Sequence, residues 1–219
     1  MKTTFLKPIM LSTLIALSAP TILSGCVPLL VGGAFATGTS IVTDRRTSSA
    51  QLADKEIYLR ANNRLSSEEI GDLAYVAKIS YNQSLYLVGQ VPSQAIHDRV
   101  IEIAKEIPNV RQVVDRLTIE PSISFSTKTS DKWLSSKVQS ALLTASGVPY
   151  RTINILTVDG VVYLFGIVTQ EEGNLAAQTA ARVSGVKQVV QAFEYITNNE
   201  LESGVYPNAI TPHVNKTSK

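Results

Sequence analysis

Few of the chain's 219 residues are of the kinds that do chemistry, and fewer are spaced for it. There is one cysteine, Cys26, and there are two histidines, His97 and His213. Neither histidine belongs to a Ser/His/Asp, Cys/His or metal-spaced set, so His97 reads as a surface helix residue and His213 as a tail residue. The pairs Glu68-Glu69 and Glu171-Glu172 are adjacent in sequence, and neighbours do not face one another on a helix or across a strand. They read as solvated loop or helix-start charges. Gly32-Gly33 lacks the following Lys-Ser/Thr of a phosphate loop, and Gly89 and Gly166 stand alone. In strands, these last two let a helix or a neighbouring backbone approach closely. No catalytic residue, cofactor or metal site is expected, and the chain reads as one that binds rather than reacts.

Cys26 has a different setting. Lys2 and Lys7 form a positive start, Ile9 to Leu23 an apolar run broken only by Ser, Thr and Pro20, and Ser24-Gly25 a small-residue exit. That is the layout of an export signal, and it is too short and too interrupted for a spanning helix. Leu23-Ser24-Gly25-Cys26 resembles the bacterial lipobox, in which the thiol is acylated after cleavage. Position, flanks and the absence of a second cysteine agree on this over an ordinary cleavage site. Residues 1–25 are therefore expected to be removed, leaving Cys26 as a lipid anchor, each buried acyl CH₂ contributing about 0.8 kcal/mol.

Removal of the leader takes away two lysines and no acids, leaving 18 basic and 18 acidic residues. The mature chain is formally neutral and has no basic face or stripe, which argues against a nucleic-acid partner. Val27 to Val42 is uncharged. As a helix it would reach only about 24 Å of the roughly 30 Å hydrocarbon core, so it reads as a juxtamembrane tether, followed by a polar linker to Gln51.

The elements that follow repeat. Leu85-Tyr86-Leu87-Val88-Gly89-Gln90-Val91 matches Val162-Tyr163-Leu164-Phe165-Gly166-Ile167-Val168, and Asn109-Val110-Arg111-Gln112-Val113-Val114 matches Gly185-Val186-Lys187-Gln188-Val189-Val190. A period near 77 residues suits a small domain duplicated in tandem. Each copy opens with a helix (Asp54 to Leu65; Ser130 to Ala145) and continues with a hairpin. The hairpin turns at Asp159-Gly160 in the second copy and, more weakly signalled, at Tyr81-Asn82-Gln83 in the first. A second helix follows (Ser93 to Ile107; Gln170 to Val183), then a closing strand (Val110 to Ile119; Val186 to Ile196). The order α-β-β-α-β predicts an α/β (α+β) fold of three-stranded mixed sheets, each covered by two helices. The expected boundaries are 26–51 for the lipidated N-terminus and tether, 52–121 and 128–197 for the domains, and 198–219 for a disordered tail.

A strand ending Gly-x-Val, a helix, and Gly-Val-x-x-Val opening a last strand resemble the BON domain. Two such domains behind a lipobox resemble the dual-BON outer-membrane lipoproteins, a family associated with division and outer-membrane stress. The second copy is the closer, through Trp133 to Val138, Leu142-Leu143-Thr144 and Ala181 to Lys187. The first departs, with Pro108-Asn109 where the second has Ser184-Gly185.

The second copy's opening helix carries more apolar residues than its core needs. At 100° per residue, Leu134, Val138, Ala141, Leu142 and Ala145 share one arc of about 100°. Trp133, Ser136, Lys137, Ser140, Leu143 and Thr144 share another, with Lys128 and Lys132 nearby. An indole among small hydroxyls and lysines suits a bilayer interface with anionic lipid. A seam against the first domain is an equal reading on the residues alone, and the resemblance decides between them. In the family this helix binds anionic phospholipid with a Trp as the central contact, and Trp133 matches it. The phospholipid-binding residues expected are Trp133, Lys132, Ser136, Lys137, Ser140, Leu143 and Thr144, with phosphatidylglycerol or cardiolipin as ligand. The first copy, with 8 basic and 10 acidic side chains over residues 54–121, has no comparable patch and is expected to be scaffold or protein contact. Val27, in place of the Asp that commonly retains such proteins at the inner membrane, implies delivery to the periplasmic face of the outer membrane. The resemblance further implies a role in membrane integrity and enrichment at the division site. The other reading is an adaptor for outer-membrane assembly or division proteins.

Overall fold

A computed structural model describes residues 44–66, 68–71, 73–204, 206 and 215–218. The leader, Cys26, the tether and His213 lie outside the described residues, as do the side chains of Glu68 and Glu69.

Each copy forms the expected α-β-β-α-β unit. In the first, α1 (Ser48–Leu65) and a short α2 (Glu68–Gly71) precede β1 (Tyr75–Tyr81) and β2 (Ser84–Val91), then α3 (Gln94–Lys105) and β3 (Gln112–Ile119). The second runs α4 (Phe125–Thr144), a 3₁₀ turn at Tyr150–Thr152, β4 (Asn154–Val158), β5 (Val161–Thr169), α5 (Gln170–Ala181) and β6 (Gln188–Ile196). Both sheets are mixed. β1 and β4 run antiparallel to the central strands β2 and β5, and the returning strands β3 and β6 run parallel to them through the helical crossovers α3 and α5.

Period-two alternation gives each central strand two apolar faces. Leu85, Leu87 and Val91 of β2 meet Ile57, Ala61 and Leu65 of α1 and Val100 and Ile103 of α3. Val162, Leu164 and Val168 of β5 meet Leu134, Val138 and Leu142 of α4 and the small residues Ala176, Ala177 and Ala180 of α5. The opposite faces close on each other. Tyr81, Tyr86 and Val114 of the first sheet pack with Phe165, Ile167, Ala192 and Ile196 of the second. Tyr86 meets Phe165 edge-on at 4.7 Å between ring centroids.

Polar bonds cross this seam. Tyr81 Oη accepts from the Ile167 N–H at 3.0 Å, and Asn82 Nδ2 donates to Glu194 at 2.7 Å. The segment read as polar linker is part of the stitching. Arg45, 9 % exposed, forks onto both carboxylate oxygens of Glu172 and donates to the Ile167 carbonyl. Arg46 pairs with Asp44 and Asp54 and lies 4.3 Å over the Tyr81 ring. Glu172 is accordingly not a solvated charge. It closes a capping box with Thr169 and, despite desolvation that would raise its pKa, the Arg45 and Thr169 hydrogen bonds hold it below the ordinary carboxylate value.

Within the tail, expected to be disordered, the described residues form two short elements. α6 (Asn198–Ser203) is held by a Thr197/Glu200 capping box and ends on left-handed Gly204, while β7 (Asn215–Ser218) pairs antiparallel with β6. Leu201 and Tyr206 pack against the seam. The box and the terminal glycine are local start and stop signals that the polar, proline-containing composition hides.

Glu194, 2 % exposed, gives the seam a pH dependence. Burial outweighs the Asn82 hydrogen bond and pushes its pKa from 4.5 up to about 7. The native state therefore retains a proton that the unfolded chain releases. The group's contribution to stability is full below the ordinary carboxylate range and is lost as pH rises through about 7. Glu194→Gln keeps an acceptor for Asn82 without the charge. It is expected to raise unfolding stability by about 2 kcal/mol at pH 8 and to change it little at pH 4. Urea titrations at both pH values measure the gap, and a gap that does not widen with pH contradicts the assignment.

Candidate functional site

α4 begins five residues earlier than the periodicity alone suggests, because Ser124 caps it by accepting from the Thr127 N–H at 3.1 Å. Its inward stripe is Leu134, Val138 and Leu142, all buried. With that stripe complete, the outward side still carries Trp133 at 67 % exposure and Leu143 at 52 %. Lys132, Ser136, Ser140 and Thr144 are exposed beside them and Lys137 is half-buried, so all seven residues proposed from the sequence lie along one solvent-facing side. Trp133 does not line the seam between the domains.

The polar groups on this side are arranged in two ways. Ser136 and Thr144 donate their hydroxyls back to the helix, to the Lys132 carbonyl at 3.2 Å and the Ser140 carbonyl at 3.1 Å. Lys137 Nζ donates to the Ser184 carbonyl at 2.6 Å, a neutral partner. Beside it, Trp133, Leu134 and Lys137 edge a shallow cavity of about 340 Å³ with Gly160 and Gly185. The lysine cluster is smaller than expected. Lys128 lies 4.5 Å over the Tyr75 ring of the first domain and serves the contact between domains.

One helix residue, Asp131, is acidic but does not belong to the exposed face. It is 4 % exposed and accepts the Asp159 and Gly160 backbone N–H groups, each at 2.8 Å. Two residues bearing on the site are absent from the sequence reading, Asp131 as the anchor of α4 on its hairpin and Phe125 as the exposed first residue of the helix. The signal for Phe125 was Ser124, a capping residue immediately before it.

Elsewhere among the described residues the titratable groups serve the fold. His97 bridges α3 to β3 through Asp115 at 2.8 Å, and the hydrogen bonds its ring donates, to Asp98 foremost and to Asp115, raise its pKa. A cavity of about 660 Å³ opens beside Arg45, Arg46, Asn82 and Arg111, where the first two guanidinium groups already hold carboxylates. Among the described residues no group of three or more side chains is placed to hold a metal ion, and no helix is long and apolar enough to cross a membrane.

The chain is thus a tandem of two α-β-β-α-β domains, the second of which exposes a tryptophan-bearing, lysine-flanked helix. The family model described as the BON domain matches residues 78–121 and 130–197, and the chain belongs to that family. It is 34 % identical over 183 residues to the outer membrane lipoprotein DolP of Haemophilus influenzae, covering 83 % of this chain and 94 % of that protein. It is 24 % identical over 154 residues to a 21 kDa hemolysin of Actinobacillus pleuropneumoniae, covering 70 % and 79 %. It is 35 % identical over 106 residues to the osmotically-inducible protein Y of Escherichia coli, covering 47 % and 53 %.

Proposed function

We propose that this is a non-enzymatic envelope lipoprotein, acylated at Cys26 and held on the periplasmic face of the outer membrane. In this reading it binds anionic phospholipid, phosphatidylglycerol or cardiolipin, through the α4 face and thereby supports outer-membrane integrity, including at the division site. The observation that carries it is Trp133, two-thirds exposed on a helix whose core stripe is already filled. The likeness to an outer membrane lipoprotein along nearly the full length of that relative supports the location. The two membrane contacts differ in strength. Acyl chains give durable attachment, whereas an interfacial indole and lysines worth about 1 kcal/mol each give a reversible one that the tether makes local.

The test uses the mature chain from residue 26 with Cys26→Ser, so that acylation does not mask the weaker contact. Trp133 is the chain's one tryptophan, so its fluorescence reports this site alone. Binding to phosphatidylglycerol or cardiolipin vesicles is expected with a blue shift, and Trp133→Glu is expected to weaken co-sedimentation by about tenfold or more without lowering the melting temperature. Undiminished binding by the variant removes the proposed site. Failure of both proteins to bind favours an adaptor for outer-membrane assembly or division proteins.

A further inference from the structure

We propose that α4 lies lengthwise on the lipid surface with Phe125 as a second aromatic anchor, so that the helix responds to lipid packing as well as to charge; this rests on the lipid-binding reading of the same face. Phe125 is the first residue of α4 and is 85 % exposed. At 1.5 Å per residue it stands about 12 Å from Trp133 along the axis, and Leu143 stands about 15 Å beyond Trp133 on the other side. At 100° per residue Phe125 and Leu143 share one azimuth, five turns apart, with Trp133 about 80° round. The three large side chains thus form a strip about 27 Å long. A pocket for one headgroup needs its contacts gathered in one place. A strip along a whole helix fits a surface.

Three hydroxyls along the strip suit immersion. Thr129, Ser136 and Thr144 donate their hydroxyls to carbonyls of their own helix, so covering them strands no donor. The helix's one acid, Asp131, is buried on the hairpin turn, so every exposed charge on α4 is positive. This complements an anionic surface. A protein groove would more naturally answer the mixed charges of α1, where exposed Leu52 and Leu59 are interleaved with Lys55, Glu56 and Arg60.

Electrostatics is a modest share of this contact. Lys128 is turned to Tyr75, leaving Lys132 and Lys137 on the face at about 1 kcal/mol each. Most of the affinity must come from inserting bulky apolar groups between headgroups, and helices of that kind are sensitive to curvature and lipid packing.

The experiment compares small sonicated with large extruded vesicles of one phosphatidylethanolamine–phosphatidylglycerol mixture, using the mature Cys26→Ser chain. Tighter binding to the small vesicles is expected. Phe125→Ser should weaken binding by about tenfold and remove most of the size preference while leaving the salt dependence. The Lys132→Gln/Lys137→Gln pair should do the converse. Phe125 is exposed, so folding is not at stake, and an unchanged melting temperature checks it. Binding that depends on Trp133 but is indifferent to vesicle size and to Phe125→Ser overturns this inference alone. Absence of binding to every vesicle overturns it together with the lipid-binding reading.

Discussion

Asp54→Ala is expected to destabilise the protein by about 3–5 kcal/mol, the range seen when one partner of a buried charged network is removed. Asp54 is 4 % exposed and all its bonding capacity is engaged. Oδ1 accepts from Ser80 Oγ at 2.7 Å and the Gln83 N–H at 2.6 Å, while Oδ2 accepts from the Asn82 N–H at 2.7 Å and Arg46 at 2.8 Å. Alanine leaves these donors unmatched and frees a turn whose two residues, Asn82 and Gln83, both have positive φ. Such a turn needs external support when neither residue is glycine. Asp131 holds the matching place 77 residues on, accepting from both residues of the Asp159-Gly160 turn. With two donors instead of four, and a glycine in the turn, Asp131→Ala is expected to cost less, about 2–3 kcal/mol. Denaturant unfolding of both variants gives the order. The account fails if Asp131→Ala proves the more damaging.

The second large effect separates two glycines that look equivalent in the repeat. Gly89 has φ of +147°, and a Cβ there would stand 1.9 Å from the Tyr75 carbonyl oxygen of the paired strand. Gly166 has no such backbone demand, and its Cβ would meet the Thr152 carbonyl oxygen at 3.0 Å. Gly89→Ala must therefore distort φ and push β1 away from β2 near the Val76–Gly89 pair, at about 3 kcal/mol or more. Gly166→Ala needs a shift of a few tenths of an ångström, at about 1 kcal/mol. Melting temperatures of the two variants measure this, and equal losses would show that the contact at Gly89 relaxes freely.

What the sequence disclosed follows from the range of each signal. The repeat, the Asp159-Gly160 hairpin and the helix periods are local patterns, and the α-β-β-α-β units follow from them. Gly89 and Gly166 were legible as places of close backbone approach, though not which was strained, because the answer lies in the neighbouring strand. The roles of Asp54 and Asp131 were hidden, since each acts on a turn nearly thirty residues away. Arg45 read as linker because its partners, Ile167 and Glu172, belong to the other copy, and Arg46 because it closes on Asp54 and the Tyr81 ring only once the first copy has folded. On α4 the surplus of apolar residues exposed the Trp133 face, while the choice of Ser130 as helix start left Phe125 outside it.

The sheet-to-sheet seam bears on how such a protein is inherited. A duplicated domain is usually pictured as a bead that can be copied, lost or traded singly. Here each copy has surrendered one face of its sheet to the other. A gene carrying only the second half would present Phe165, Ile167 and Ile196 to water, an adhesive surface that favours pairing with another chain. The two halves are thus one unit of selection: exchange between relatives is expected to move both together, and a change at Tyr86 in one half calls for an answering change at Phe165 in the other.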